Sequence, residues 1–405
     1  MIRPTVARVD LAALAANYHA IVDHLSHEGG TRRTGVIAVV KANAYGHGAA
    51  QVAQALENSG ADLLACADIE EGAALRAAGV RADILVFGAL SVSDLDGLFD
   101  CRLTPTISTP GAARAVQAAA EKYNQRLRYH LKIDTGMNRL GFRFDNLKRT
   151  LPGLLASRNL DLDAVYTHFA TADDAESSLF GDQRVRFERA RHEIAEMHHS
   201  ARPDRSTPRR DEGASSESGG GPSSSPASDG TFAPYVHAAN SAAFLRDSRV
   251  WFDRVRPGLL LYGIVPPPLA STMRLRPALS LVSRIVAVKG VRSGEGVGYG
   301  ARFVAEGPRT LAIIPAGYAD GLDLRLAGRG AVLIRGRRAP IVGAVNMDML
   351  VSDVTGLDVS PGDEVVIIGS QGDERIDVRE MAAQIGTIPY EILCRIGSRI
   401  QRIYQ

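Results

Sequence analysis

The chain is 405 residues long, 45% hydrophobic and 23% charged, which is enough apolar material for more than one buried core. Forty-seven basic residues against 45 acidic ones leave a net charge of +2, so whole-chain electrostatics gives no case for binding nucleic acid or an anionic membrane. No apolar run reaches membrane-spanning length, and the start MIRPTVARVDL has no signal-like apolar stretch. Cys66, Cys101 and Cys394 are scattered, with neither disulfide-scaffold nor zinc spacing; the expectation is a cytoplasmic protein of more than one domain with no metal site.

From about residue 10 to 265, short apolar runs alternate with helix-like stretches. The runs are VIAVV (36–40), LLACA (63–67), ILVFG (84–88), TPTIS (104–108), YHLKI (129–133), AVYTH (164–168), YVHAA (235–239) and DRVRPG (253–258). Between them HGAAQVAQALENSG, IEEGAALRAAG and GDQRVRFERARHEIAEMHH carry apolar residues at helical spacing. Continuous apolar strands separated by helices predict a parallel sheet covered on both faces. Eight of them suggest a closed TIM-like (β/α)8 barrel over residues 1–275, although a doubly wound open sheet gives a similar pattern.

Residues 198–231 fit neither domain. In 206–230, eight serines, five glycines and three prolines fill 16 of 25 positions, too little apolar surface to offset ordering entropy. The expectation is a disordered insertion outside the site. From 276 to 405 the runs LSLVSRIVAVKGV, RTLAIIPAGYADG, GAVLIRGRRAPIVGAV and GDEVVIIGS, joined by glycine-marked turns, predict a second, mostly β domain. Helical spacing returns in RIDVREMAAQIG and PYEILCRIG.

The reacting groups of such a barrel belong just past the C-terminal ends of its strands. Lys41 follows VIAVV, Lys132 and Asp134 end the fifth run, and Arg139 lies just beyond. His168 ends the sixth run, Asn240 and Ser241 follow the seventh, and Arg256 sits in the eighth. The chain has only five lysines against 42 arginines (47 − 5), so a lysine in the apolar setting of Lys41 needs its own explanation. It can snorkel, form an ion pair, or serve as a Schiff-base amine for an aldehyde cofactor. Pyridoxal phosphate would then also need phosphate donors, for which Tyr45, Ser241 and the amides of Gly258 and Leu259 are candidates.

VVKANAYGHG, KIDTGMNRLGF, THFATAD, HAANSAA, RPGLLLYG, VGYGARF, GYADG and NMDM follow in this order, and together they closely resemble bacterial alanine racemase over nearly the whole chain apart from 198–231. The resemblance implies a pyridoxal-phosphate barrel, a C-terminal β domain and a head-to-tail homodimer that interconverts L- and D-alanine, the latter for peptidoglycan. It assigns Lys41 as the cofactor lysine and D-face base, and Tyr299 of the partner subunit as the L-face base. Tyr45, Ser241, Gly258, Leu259 and Tyr390 match phosphate-binding positions, and Asn240 is expected with them as a cofactor-binding residue. Arg139 matches the arginine near the phenolic oxygen, His168 the ring-side histidine, and Arg256 the arginine facing the pyridine nitrogen. Met347 matches a substrate-side position, as Arg139 also does, and Lys132 a lysine that the family often carbamylates. Two bases on opposite faces suit a reaction that removes the α-proton from one side and delivers a proton on the other.

GEGVGYG (294–300) lacks the dinucleotide-binding glycine spacing, and HEIAEMHH (192–199) lacks metalloprotease spacing and reads as a solvated helix face. Other readings of the fold are a broader-specificity racemase, a barrel-type decarboxylase and a non-catalytic pyridoxal-phosphate carrier. Tyr299 and the β domain argue against a carrier, and Arg256 argues against a decarboxylase, which favours an acidic partner for the ring nitrogen. Pocket shape separates the broader racemase.

Overall fold

The computed structural model describes residues 4–28, 33–90, 94–201 and 234–405. The chain opens with strand β1 (Val6–Val9) and helix α1 (Leu11–Glu28). Eight parallel strands then form a ring in chain order: β2 (Gly35–Val39), β3 (Leu63–Cys66), β4 (Asp83–Val86), β5 (Thr104–Ile107), β6 (Leu127–Asp134), β7 (Leu160–Tyr166), β8 (Tyr235–Asn240) and β9 (Arg254–Arg256). The ring closes because β9 pairs with β2, Arg254 opposite Gly35 and Val255 opposite Val36. That pairing excludes an open doubly wound sheet.

Each strand falls on one of the eight apolar runs because both its faces are covered. Val36 to Val39, Leu63 to Cys66 and Ile84 to Val86 are all buried, and each fully buried aliphatic side chain contributes about 1.5–3 kcal/mol relative to exposure. Outside the ring, α2 (Ala49–Asn58) buries Val52, Ala53 and Leu56. Helix α3 (Ile69–Ala77) starts where the Asp68 carboxylate accepts from the Glu71 amide at 2.8 Å, and α4 (Pro110–Lys122) starts where the Thr109 hydroxyl accepts from the Ala112 amide at 3.1 Å. Both are side-chain caps of orphan amides.

Helix α5 (Leu179–Ala201) runs further than the sequence suggested. Residues 198–201 complete its last turn, with the Ser200 hydroxyl donating to the Glu196 carbonyl at 2.9 Å, so the insertion does not begin at 198. Positions 202–231 lie outside the described residues. Helix α6 (Ser241–Arg246) follows β8.

The second sheet contains β10 (Leu279–Arg284), β11 (Ala287–Val291), β12 (Arg309–Ile314), β13 (Ala331–Ile334), β14 (Arg337–Val342), β15 (Leu350–Asp353), β16 (Glu364–Gln371) and β17 (Gln401–Tyr404). Its order is β11-β12-β15-β14-β13-β16-β10-β1-β17. Strand β1 thus belongs here and not to the barrel: it runs antiparallel to β10 and parallel to β17, with Val6 opposite Val282 and Gln401. A division at 275 therefore gives the barrel unit one strand that the second sheet uses. Helices α7 (Val378–Ile385) and α8 (Pro389–Cys394) complete this part. Among the described residues no helix is long and apolar enough to cross a membrane.

Candidate active site

Past the end of β2 the backbone turns left-handed. Ala42, Asn43, Ala44 and Tyr45 have φ of 52°, 53°, 53° and 52°, a conformation costing about 1–2 kcal/mol per residue for side chains bearing a Cβ. Neighbouring groups hold it. The Ala44 amide donates to the Val40 carbonyl at 2.8 Å and the Gly46 amide to the Ala42 carbonyl at 3.1 Å. Glu71, from α3, accepts from the Ala42 amide with one carboxylate oxygen and from the Ala67 amide with the other, each at 2.7 Å. Asn43 accepts from the Ala49 amide at 2.8 Å, and His47 Nδ1 donates to the Tyr45 carbonyl at 3.0 Å. A Cβ on Gly46 (φ 82°) would sit 2.2 Å from the Leu393 carbonyl oxygen, so α8 rests directly on the turn. Lys41 stands at the head of this turn.

Three elements meet at a cluster of hydroxyls and amides. Tyr45 ends the turn, Ser241 opens α6, and Gly258 with Leu259 follow β9. The Gly258 amide donates to the Ser241 hydroxyl at 2.9 Å. A Cβ on Gly258 would lie 2.5 Å from the Tyr45 hydroxyl oxygen, so only a glycine lets that hydroxyl come so close to the backbone. The Tyr45 ring is packed 5.0 Å from that of Tyr262 and 5.8 Å from that of Tyr390, which α8 supplies. Burial pushes the Tyr390 hydroxyl up to about 12 and Tyr45 higher still, so both remain protonated donors. Asn240 contributes differently: its side-chain oxygen accepts from the Ala243 amide at 2.9 Å and caps α6.

Cations crowd the same end of the barrel. Burial, then Arg139, lowers the Lys41 amine below its ordinary value. Lys132, inside β6, is pushed down to about 8 by burial and then by Arg139 and Arg256. Arg256 is 3% exposed and is held down to about 10 by burial. It donates to the carbonyls of Thr167 and Ala238, each at 2.8 Å, to His237 Nδ1 at 2.7 Å and to His168 Nδ1 at 3.3 Å. His168 lies two residues past β7 and is held well below its ordinary value by burial and then Arg256. It is therefore neutral, with its proton on Nε2. The cleft gathers Lys41, Lys132, Arg139 and Arg256, a set that suits an anionic ligand with more than one acidic group.

Tyr299 follows β11 in the chain, and Met347 lies between β14 and β15. Tyr299 is 78% exposed and Met347 52%. The loop bearing Met347 is fixed by the Tyr318 and Ala319 amides, which donate to the Asn346 and Met347 carbonyls at 2.9 and 3.0 Å. Sequence reasoning missed Glu71, His47, His130 and His237. The last two could have been found from the period of two in β6 and β8, which points His130 with Lys132, and Tyr235 with His237, to the same side of each strand.

The family model of the alanine racemase N-terminal domain matches residues 9–205 and 225–266, and that of the C-terminal domain matches 278–404. An alanine racemase of Carboxydothermus hydrogenoformans is 40% identical over 408 residues, spanning 99% of this chain and 100% of the relative. The crystal structure of alanine racemase from D-cycloserine-producing Streptomyces lavendulae superposes with a TM-score of 0.85 at 31% identity, covering 100% of this chain and 98% of that one. An alanine racemase structure from Bartonella henselae with covalently bound pyridoxal phosphate gives 0.81 at 28% identity and covers 99% of each chain. The order of site-bearing strands, the second β domain and these full-length matches agree: the chain belongs to the alanine racemase family of pyridoxal-phosphate-dependent isomerases.

Proposed function

We propose that this chain interconverts L- and D-alanine on pyridoxal phosphate held by Lys41, in sites shared between two subunits of a homodimer, with Lys41 and the partner subunit's Tyr299 as the two bases. The observation that carries the reading is the Tyr45–Gly258–Ser241 cradle, closed by Tyr390, on the turn headed by Lys41, whose amine burial lowers from its ordinary value. The cradle fits a phosphate: it offers neutral hydroxyl and amide donors, and only a glycine at 258 lets the Tyr45 hydroxyl stand this close to the backbone amides. Residues 1–275 then form the cofactor-binding unit and 276–405 the unit that lends Tyr299 and Met347.

Bound cofactor supplies the electron sink for charge that develops when the α-proton leaves. The chain's own groups do the rest. Lys41 moves a proton at its Nζ, helped by burial and by neighbouring cations, both of which favour the neutral amine. Arg256, a permanent donor, would meet the ring nitrogen and disfavour its protonation. Arg139 binds the substrate carboxylate and the phenolic oxygen, and the Met347 backbone closes the substrate side. The product serves cytoplasmic peptidoglycan synthesis.

Tyr299 and Met347 are exposed in the single chain, which supports a shared site in which a second subunit covers them. Lys41→Ala and Tyr299→Phe are each expected to be inactive in converting L- to D-alanine. After subunit exchange about half the dimers are mixed and one of their two sites is intact, so about a quarter of sites recover. No recovery, with exchange confirmed by native mass spectrometry, sinks the shared-site reading.

A further inference from the structure

Arg256 is buried, yet its partners are two carbonyls and two imidazole nitrogens, and among the described residues no carboxylate pairs with it. A guanidinium in that position needs compensating charge or dipoles. They lie beneath it, in the barrel core. His237 is in β8 with its ring stacked on Tyr166, centroids 4.6 Å apart, and its Nε2 is 3.0 Å from His130 Nδ1 in β6. His130 Nε2 is in turn 2.7 Å from the Tyr235 hydroxyl and 3.7 Å from the Asp163 carboxylate in β7. Neither His130 nor His237 touches the cleft: they are 1% and 0% exposed.

The positions of the protons follow from one fact, that a guanidinium can only donate. Arg256 donates to His237 Nδ1, so that nitrogen is bare and the ring's proton is on Nε2. Nε2 then donates to His130 Nδ1, which is bare as well, and His130 Nε2–H faces Tyr235 and Asp163. The opposite tautomer, or a protonated ring at His130, would set two N–H groups against each other across the 3.0 Å contact. Each imidazole therefore turns its negative end to Arg256 and its positive end to Asp163. Burial lowers both histidines, which keeps the rings neutral. Asp163 is a remote counter-charge reached through two aligned dipoles, itself flanked by Arg128 at 4.0 Å.

We propose that His130 and Asp163, across the barrel core from the reacting atoms, are positioning residues for Arg256, holding the guanidinium charged and aimed through a polarised two-histidine relay. The aim at the ring nitrogen rests on the function proposed above; the relay itself does not.

Solid-state nitrogen NMR of the histidine-labelled holoenzyme reads the relay directly. His237 and His130 are expected as neutral Nε2–H tautomers from about pH 6 to 9, and an Nδ1–H tautomer at either overturns the proposal whatever the substrate proves to be. Kinetics read the positioning. His130→Leu strands the His237 N–H and is expected to lower kcat for alanine by roughly tenfold, with KM changed less than about threefold, and to shift the visible band of bound cofactor. His130→Gln, whose amide can accept on one side and donate on the other, should stay within about threefold of wild type in kcat and keep the band. Asp163→Asn should shift the band in the same direction as His130→Leu. Equal behaviour of His130→Leu and His130→Gln, with both folded, overturns the positioning role. An enzyme that proves not to racemise alanine would fail the function proposed above while leaving the tautomers to decide the relay.

Discussion

Replacing Gly258 by alanine isolates one contact on which cofactor retention is expected to depend. Gly258 is not among the residues with positive φ, so alanine meets no backbone penalty there and any effect comes from the added methyl. That methyl would lie 2.5 Å from the Tyr45 oxygen and 3.0 Å from its Cζ, against an ordinary separation of about 3.5 Å, so something has to yield by roughly 1 Å. Tyr45 is 6% exposed and wedged between two further tyrosine rings. Overpacking of this kind costs about 1–3 kcal/mol of stability. Displacing the Tyr45 hydroxyl also removes one donor to a charged phosphate, about 1.5–3 kcal/mol, which corresponds to about 10- to 100-fold weaker cofactor binding. Titration of cofactor-free enzyme with pyridoxal phosphate, followed by absorbance, gives the affinity, and urea unfolding gives the stability. Gly153→Ala, where nothing lies within 4 Å of the new methyl, is the control. Unchanged affinity in Gly258→Ala would show that Tyr45 and Gly258 do not form the phosphate cradle.

Acid lability follows from His47, whose folded value burial pushes down to about 4 from an ordinary 6.5. Below pH 6.5 the unfolded chain binds a proton that the folded chain refuses, so stability is present above that pH and is lost as pH falls, by about 3 kcal/mol at pH 4 from this group. Urea midpoints measured across that range should fall toward acid, and His47→Gln should flatten the slope; an unaltered slope in the variant would count against the assignment. Glu71→Ala removes the acceptor of two amides that fix the left-handed turn, with an expected loss of about 2–4 kcal/mol in urea unfolding and slower recovery of the cofactor band after reconstitution. A loss below about 0.5 kcal/mol would mean that the turn holds without it.

The barrel was legible because its strands are buried on both faces and so appear as unbroken apolar runs, VIAVV and ILVFG among them. Cleft residues were legible for a related reason: in this architecture they stand just past those runs, where Lys41, Ser241 and Gly258 are found. What stayed hidden depends on partners far along the chain. Strand β1 is four residues long, and its ladder partners begin at Leu279 and Gln401, so no local pattern could assign it to the second sheet. The left-handed turn at KANAY has no local signal either, because the groups that hold it come from Glu71 and from α8. The residues 198–201 misled in the other direction: they lack large apolar side chains, yet a helix already built back to Leu179 carries them one more turn.

The same two features show what the fold gives up to make the cleft. Four consecutive left-handed residues precede His47, and Lys41, Lys132, Arg139 and Arg256 stand close enough for each lysine to feel both arginines. Neither arrangement is stable by itself: the first is strained, and the second is repulsive in a site with little water. Both are held by parts that do no chemistry, namely the Glu71 carboxylate, the rim of α8 and the histidines beneath Arg256. A phosphate and a substrate carboxylate would relieve the repulsion when they bind, because they bring negative charge to the place where the cations converge. Binding energy from the anionic ends of the ligands is thus available to hold the reacting carbon against Lys41.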